Sequence, residues 1–205
     1  MQIKNVKVYG LEESLIRSGY PMQIGEPSEI NSDIKYDMFH SPESPVNKIC
    51  ITRSTKLANT PVGSGHNNFL KGIIVQFDLQ YPEYFSPQLQ RYHWVDIISS
   101  QSKMHKITSR ELTKNDFTKY TSVGCIDYIN SLINRYNIDK DADTFNQTIS
   151  NLPSRYLKWM GILTNYLQLK TIYYQRRHHK LQEWQDFCKF LETLPMFELI
   201  TNKTE

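Results

Sequence analysis

An α/β (α+β) fold in one domain spanning residues 1–205 is predicted by a change of hydrophobic period along the chain and by its composition. In Gly72–Gln80, Val75, Phe77 and Leu79 alternate with Gln76, Asp78 and Gln80, the period of a half-buried strand. In Val123–Tyr136, Val123, Ile126, Ile129, Leu132, Ile133 and Tyr136 make one stripe at helical spacing. A central sheet holding strand 72–80, with helices 123–136 and 153–175 packed against it, follows from that switch. Hydrophobic residues make up 39% of the chain and aromatics 12%, with thirteen tyrosines. Such a chain is globular and long enough to bury a sizeable core.

Taken in order, Gln2–Tyr9 reads as a strand, with Val6 and Val8 alternating with Asn5, Lys7 and Tyr9, and Gly10 ends it. Leu11–Arg17 reads as a short helix closed by Gly19, Tyr20 and Pro21. Residues 22–45, rich in Pro, Ser and Asp, read as a long surface segment, a length found both in functional loops and in segments without order. Lys48–Arg53 (KICITR) reads as a short strand. Gly63–His105 is the stretch around which the chain is organised: loop, strand 72–80, a helix opened by Pro82, then a polar loop. Two polar clusters, Gly63–Asn68 and Arg91–His105, end it, and a strand and helix that bring them together suit a site.

Lys106–Thr118 carries helix-cap chemistry at Thr108, Ser109 and Thr113 with weak periodicity. Asp139–Asp143 is an acidic turn resembling half of a calcium loop, without its glycine or terminal glutamate, so calcium binding is rejected. Leu152-Pro153-Ser154 is read as the start of a helix running to Gln175, interrupted by Gly161 and Asn165. A basic run, Gln175–Lys180, precedes an amphipathic helix, Leu181–Leu194, with Trp184, Phe187, Cys188 and Leu191 on its buried face.

The formal charge of +3 is too mild to point to nucleic acid. No apolar run reaches membrane-spanning length, and the N-terminus lacks a signal-peptide core. Cys50, Cys125 and Cys188 are odd in number and widely spaced, which suits reduced thiols in a cytoplasmic protein. His66, His93, His105, His178 and His179 make no zinc pattern, and there is no Walker loop, dinucleotide fingerprint or nucleophile elbow. What remains are cations suited to anions: Arg91, Lys103, Lys170, Arg176 and Arg177. Arg91 and Lys170 stand in otherwise apolar, helix-like runs, where a charge must be paired or face a cavity.

These residues resemble a family. Gly65-His66-Asn67-Asn68-Phe69-Leu70-Lys71-Gly72 is similar to the G-H-x-x-P-F-E-H segment of the flavin-dependent thymidylate synthases, the thymidylate-synthase-complementing proteins. Gln88-Leu89-Gln90-Arg91-Tyr92-His93 resembles the end of their A-R-Q-x-x-R-H-R helix, and the His66-to-Arg91 spacing fits without a gap. Asn165-Tyr166-Leu167-Gln168-Leu169-Lys170 is similar to their N-F-L-x-L-R, and Leu181-Gln182-Glu183-Trp184 faintly to A-Q-x-E-I-R. The resemblance covers most of the chain.

The resemblance implies a mixed or antiparallel central sheet flanked by long helices, and a homotetramer with FAD and dUMP bound between subunits. Reduced flavin supplies a hydride, methylenetetrahydrofolate the carbon and NADPH the electrons that re-reduce the flavin; no enzyme nucleophile is needed. Carried over, His66, Arg91, His93 and Asn165 are expected at the flavin, and Gln88 and Arg91 at the nucleotide. Lys103, with Ser100 or Ser102 beside it, is expected at the phosphate, and Lys170 at the uracil carbonyls. The chain departs from the pattern where Tyr92 and His93 replace two members of R-H-R. Gln101 takes the place of the serine in the S-x-R-Y that follows the family's R-H-R after seven residues, Lys103 and Lys170 replace arginines, and the family's A-R-x-x-L-P keeps only Leu152-Pro153. Arg176–Lys180 has the look of an insertion. Two functions are compatible with this: a divergent enzyme acting on dUMP or a related pyrimidine nucleotide, or a non-catalytic descendant, such as a phage protein, binding a nucleotide or a protein.

Overall fold

The structure, a computed structural model, describes residues 1–26, 45–61 and 63–202. Of the 22–45 segment, residues 22–26 are exposed and 27–44 lie outside the described residues. Strands β1 (Gln2–Tyr9), β2 (Ile74–Pro82), β3 (Asp96–Ser100) and β4 (Leu157–Asn165) form one antiparallel sheet in the order β1-β2-β4-β3. β2 is the strand expected at 72–80, moved by two residues; Val75, Phe77, Leu79 and Tyr81 are buried and alternate with half-buried Ile74, Gln76, Asp78 and Gln80.

β1 and the helix α1 (Leu11–Arg17) have the expected bounds. Gly10 joins them with φ 70, and a Cβ there would stand 2.6 Å from the carbonyl oxygen of Gly72. Only glycine adopts that turn and allows that approach without strain.

Two expected elements are corrected. Lys48–Arg53 is no strand but lies within helix α2 (Pro45–Ala58). Its β-branched residues imitate a strand, yet the buried positions are Cys50, Ser54 and Ala58, four apart on one helical face. Arg53 fastens that face by donating to the carbonyl of Leu15 (3.1 Å) and to Ser18 Oγ (3.1 Å). The helix expected over 153–175 is instead strand β4 followed by helix α7 (Tyr166–Arg176). Met160, Ile162 and Thr164 are buried and alternate with half-buried Trp159, Gly161 and Leu163, a period of two. The apparent interruptions are the signal: Gly161 lies within a strand, and Asn165 caps the helix that follows.

The helix expected after β2 is shorter. Glu83–Phe85 forms a 3₁₀ turn and α3 covers only Ser86–Leu89, so Arg91 lies beyond it in a turn. The polar loop expected after it contains β3, every residue of which is exposed, at an edge of the sheet. Its polar reading comes from exposure, as edge strands often require. A short helix α4 (Lys103–Lys106), capped by Ser102, follows.

The chain forms two compact units. One comprises Met1–Lys4, Asp78–Arg91 and Ile97–Ile162. Its core joins Ile107, Leu112 and Phe117 to Ile126, Ile129 and Ile133 of helix α5 (Val123–Asp139), the middle of the stripe read from the sequence, whose first member Val123 is exposed. Phe145 and Ile149 of helix α6 (Ala142–Asn151) pack on it. The acidic turn serves α6: Asp141 accepts from the Thr144 backbone N–H at 2.8 Å. The other unit comprises Asn5–Phe77, Tyr92–Asp96 and Leu163–Glu205. There helix α8 (Gln182–Leu191) buries Trp184, Phe187, Cys188 and Leu191 as expected, with Phe187 and Phe190 against Phe77. Helix α9 (Glu198–Thr201), beyond Pro195, was not foreseen and buries Leu199 and Ile200.

Candidate functional site

The residues singled out from the sequence fall into both units. In the second unit, His66 is exposed in a turn shaped by Gly63 (φ 91) and Gly65 (φ 79). Its neighbour Asn67 is only 2% exposed, and its amide nitrogen has no hydrogen-bond partner among the described residues. A buried, unfilled donor beside His66 suits a ligand carbonyl or phosphate oxygen.

Asn165 stands where β4 turns into α7. Its Oδ1 accepts from the Gln168 backbone N–H at 2.9 Å, capping the helix. Gln168 in turn accepts from the Trp94 backbone N–H (3.4 Å), and Trp94 O accepts from Thr164 Oγ1 (2.6 Å). The His93 ring meets Trp94 edge-on at 5.4 Å, and both are exposed. Through Gln168 the structure therefore links two expected flavin-contacting residues, His93 and Asn165. Tyr92, which replaces the family's histidine, points inward instead. Its hydroxyl accepts from Arg176 Nε (2.7 Å) and donates to Gln175 Oε1 (3.1 Å). Arg176 also stacks on Trp184 at 4.7 Å, and Arg177 on Tyr174 at 5.1 Å. Both arginines of the basic run are thus engaged with aromatic rings.

Lys170 is 1% exposed, and its ammonium donates to Ala58 O and Asn202 Oδ1. Burial pulls its pKa down to about 8. Among the described residues, the protein itself supplies two acceptors for this ammonium. Arg91 lies outside any helix and is exposed, so the apolar helical run read for it is corrected.

In the first unit, Gln88 is half-buried on α3, and Ser100 is exposed at the end of β3. Ser102 and Lys103 line a cavity of about 350 Å³ with Lys106, Arg110, Tyr156 and Lys158. Glu83 stands behind it, its two carboxylate oxygens accepting from Lys103 (2.5 Å) and Lys158 (2.8 Å). Burial alone would raise the Glu83 pKa; the two lysines outweigh it and hold the carboxyl below its ordinary range. For Lys158, burial opposes the charge and Glu83 restores it, with a net rise. Arg110 grips Asp116 with two hydrogen bonds (2.8 and 2.5 Å). Burial raises the Tyr156 hydroxyl pKa, keeping it a neutral donor. A pocket with four lining cations against one lining carboxylate, Asp116, and with neutral donors beside them, can hold an anionic oxygen group.

Sequence reasoning placed Asn67 only within a polar cluster and gave no role to Glu83, Trp94, Lys106, Arg110, Tyr156 or Lys158. Glu83 and Lys158 meet only through strand pairing, which no local pattern discloses. Trp94, an aromatic ring within a polar run, carried a signal.

No family model matches the chain, and no curated protein does. Solved structures do match. A crystal structure of the flavin-dependent thymidylate synthase ThyX from Helicobacter pylori, complexed with FAD and dUMP, aligns over 100% of both chains with TM-score 0.63 and 13% identity. A second ThyX structure from that organism, also with FAD and dUMP, aligns over 98% of both chains with TM-score 0.67 and 13% identity. The chain has the fold of those proteins.

Proposed function

We propose that the chain is a divergent flavin-dependent thymidylate synthase-like protein that binds FAD and a pyrimidine nucleotide, dUMP or a relative, as a cytoplasmic homotetramer. The observation that carries the reading is the end-to-end fold match to FAD- and dUMP-bound proteins. The residues present fit a flavin: the Asn67 amide is a buried donor awaiting an acceptor, and His66 and His93 stand exposed beside polar backbone.

His66, Asn67, Arg91 and His93 would hold the flavin, Asn165 would position the Gln168–Trp94 link beside it, and Gln88 would meet the nucleotide. Ser102 and Lys103, with Ser100 nearby, would hold the phosphate, now in company with Lys106 and Lys158. When bound and reduced, the flavin supplies hydride, with methylenetetrahydrofolate as carbon donor and NADPH as reductant. The protein's own part is orientation and charge compensation, with no nucleophile of its own. The test is incubation of purified protein with FAD, NADPH, methylenetetrahydrofolate and dUMP, with dTMP as the expected product. No dTMP from protein that binds both FAD and dUMP would remove the enzyme and leave the binding.

The engagement of Lys170 favours a second reading, a non-catalytic descendant that keeps a nucleotide or protein partner. Its ammonium is committed to Ala58 and Asn202. On that reading dUMP raises the melting temperature while no substrate combination turns over.

A further inference from the structure

We infer that Glu83 is a built-in counter-anion that sets which ligands the cavity of the first unit accepts. Its carboxylate holds Lys103 and Lys158, the two lysines that would otherwise grip a ligand's phosphate. The inference rests on the proposed reading of that cavity as a phosphate-binding site.

The geometry is specific. Each carboxylate oxygen takes one lysine, at 2.5 and 2.8 Å, the bridging contact that two phosphate oxygens would make. Glu83 is held in place by its backbone, whose N–H donates to Tyr156 O at 3.2 Å, while the next residue donates to Ser154 O at 3.1 Å. The three side chains are between 16% and 26% exposed, so their charges are poorly screened, and the two lysines line the cavity with Glu83 behind them. Arg110 is already committed to Asp116, which leaves exposed Lys106 as the remaining lining cation with no carboxylate on it among the described residues. An incoming phosphate must therefore displace Glu83 from its lysines or share them against like-charge repulsion. A neutral ligand meets no such barrier. Glu83 thus lowers affinity for phosphorylated ligands selectively, a discrimination made by repulsion rather than by added contacts.

Glu83→Gln keeps the size and the acceptor oxygen and removes the charge. Calorimetric titration of the full chain and this variant with inorganic phosphate, dUMP and deoxyuridine reads the effect. The expected result is that phosphate and dUMP bind about tenfold or more tightly to the variant, a factor equivalent to roughly 1.4 kcal/mol. Deoxyuridine affinity stays unchanged, and adding Lys103→Ala removes the gain. Unchanged or weaker phosphate and dUMP binding by folded Glu83→Gln would overturn the inference and make the triad a structural tie. Should that variant not fold, Glu83→Asp, too short to reach both lysines, is expected to show a smaller gain in the same direction; no gain overturns the inference. The two claims separate cleanly. If phosphate tightens but neither pyrimidine binds, the counter-anion stands and the pyrimidine reading falls. Equal dUMP binding by both proteins keeps the pyrimidine reading and removes the counter-anion.

Discussion

Lys170 shows how a single side chain can be read for its tension before its acceptors within the protein are known. A lysine in an apolar run needs acceptors, and the sequence says so; it does not say that Ala58 and Asn202 provide them. With two acceptors in reach, a neutral amine, which has two N–H donors, satisfies the site as well as an ammonium does. The pKa of about 8 lies below the ordinary lysine value of 10.5, so between those values the unfolded chain holds a proton that the folded chain has released. Stability from this group therefore rises as pH rises through that window and is lowest below it. Urea unfolding of the wild type and Lys170→Met from pH 7.5 to 10.5 is expected to show the wild type gaining relative to the variant. A constant difference would rule out the shift. Lys170→Ala, which also leaves a void and two unpaired carbonyls, is expected to cost about 2–5 kcal/mol in the same measurement.

At the scale of elements, boundaries marked by chemistry were legible and those set by partners were not. Gly10 ends β1 as read, and the α8 stripe of Trp184, Phe187, Cys188 and Leu191 gave its buried face directly. α2 was misread because Ile49, Ile51, Thr52 and Thr55 favour strands, whereas burial against Leu15 and Ser18 selects the helical face of Cys50 and Ser54. β4 was misread because its apolar density fits either period, and only its place in the sheet selects two. Asn165 marks that switch. Asn165→Ala is expected to lose about 1 kcal/mol of cap stability, a drop of roughly 2–4 °C in melting temperature for a chain of this size. Asn165→Asp keeps an oxygen acceptor and is expected to melt like the wild type. If the amide nitrogen also contacts flavin, the Asp variant is expected to lose FAD affinity while keeping its melting temperature; loss of both would mean that Asp cannot replace the cap.

For the whole molecule, the fold was more legible than the site. The period switch and the family resemblance led to an α/β fold with β2 in a central sheet, which the structure and its neighbours bear out. In the first unit the proposed phosphate contacts depend on residues far apart in sequence, such as Glu83 with Lys158; of the proposed flavin contacts, His66 and His93 of the second unit are exposed. Ligand sites of this size bury most of their ligand. A second copy of the chain is the natural source of the missing wall, so light scattering is expected to give a homo-oligomeric mass, a tetramer on the proposed reading; a monomer at micromolar concentration would contradict a shared site. The most direct test of the central claim, that this scaffold still holds a flavin, is the visible absorbance of the purified protein titrated with FAD. The expected result is a saturable flavin band that stays with the protein through desalting and is lost in a folded His66→Ala variant. A folded, oligomeric wild type that retains no flavin at any FAD concentration would contradict it.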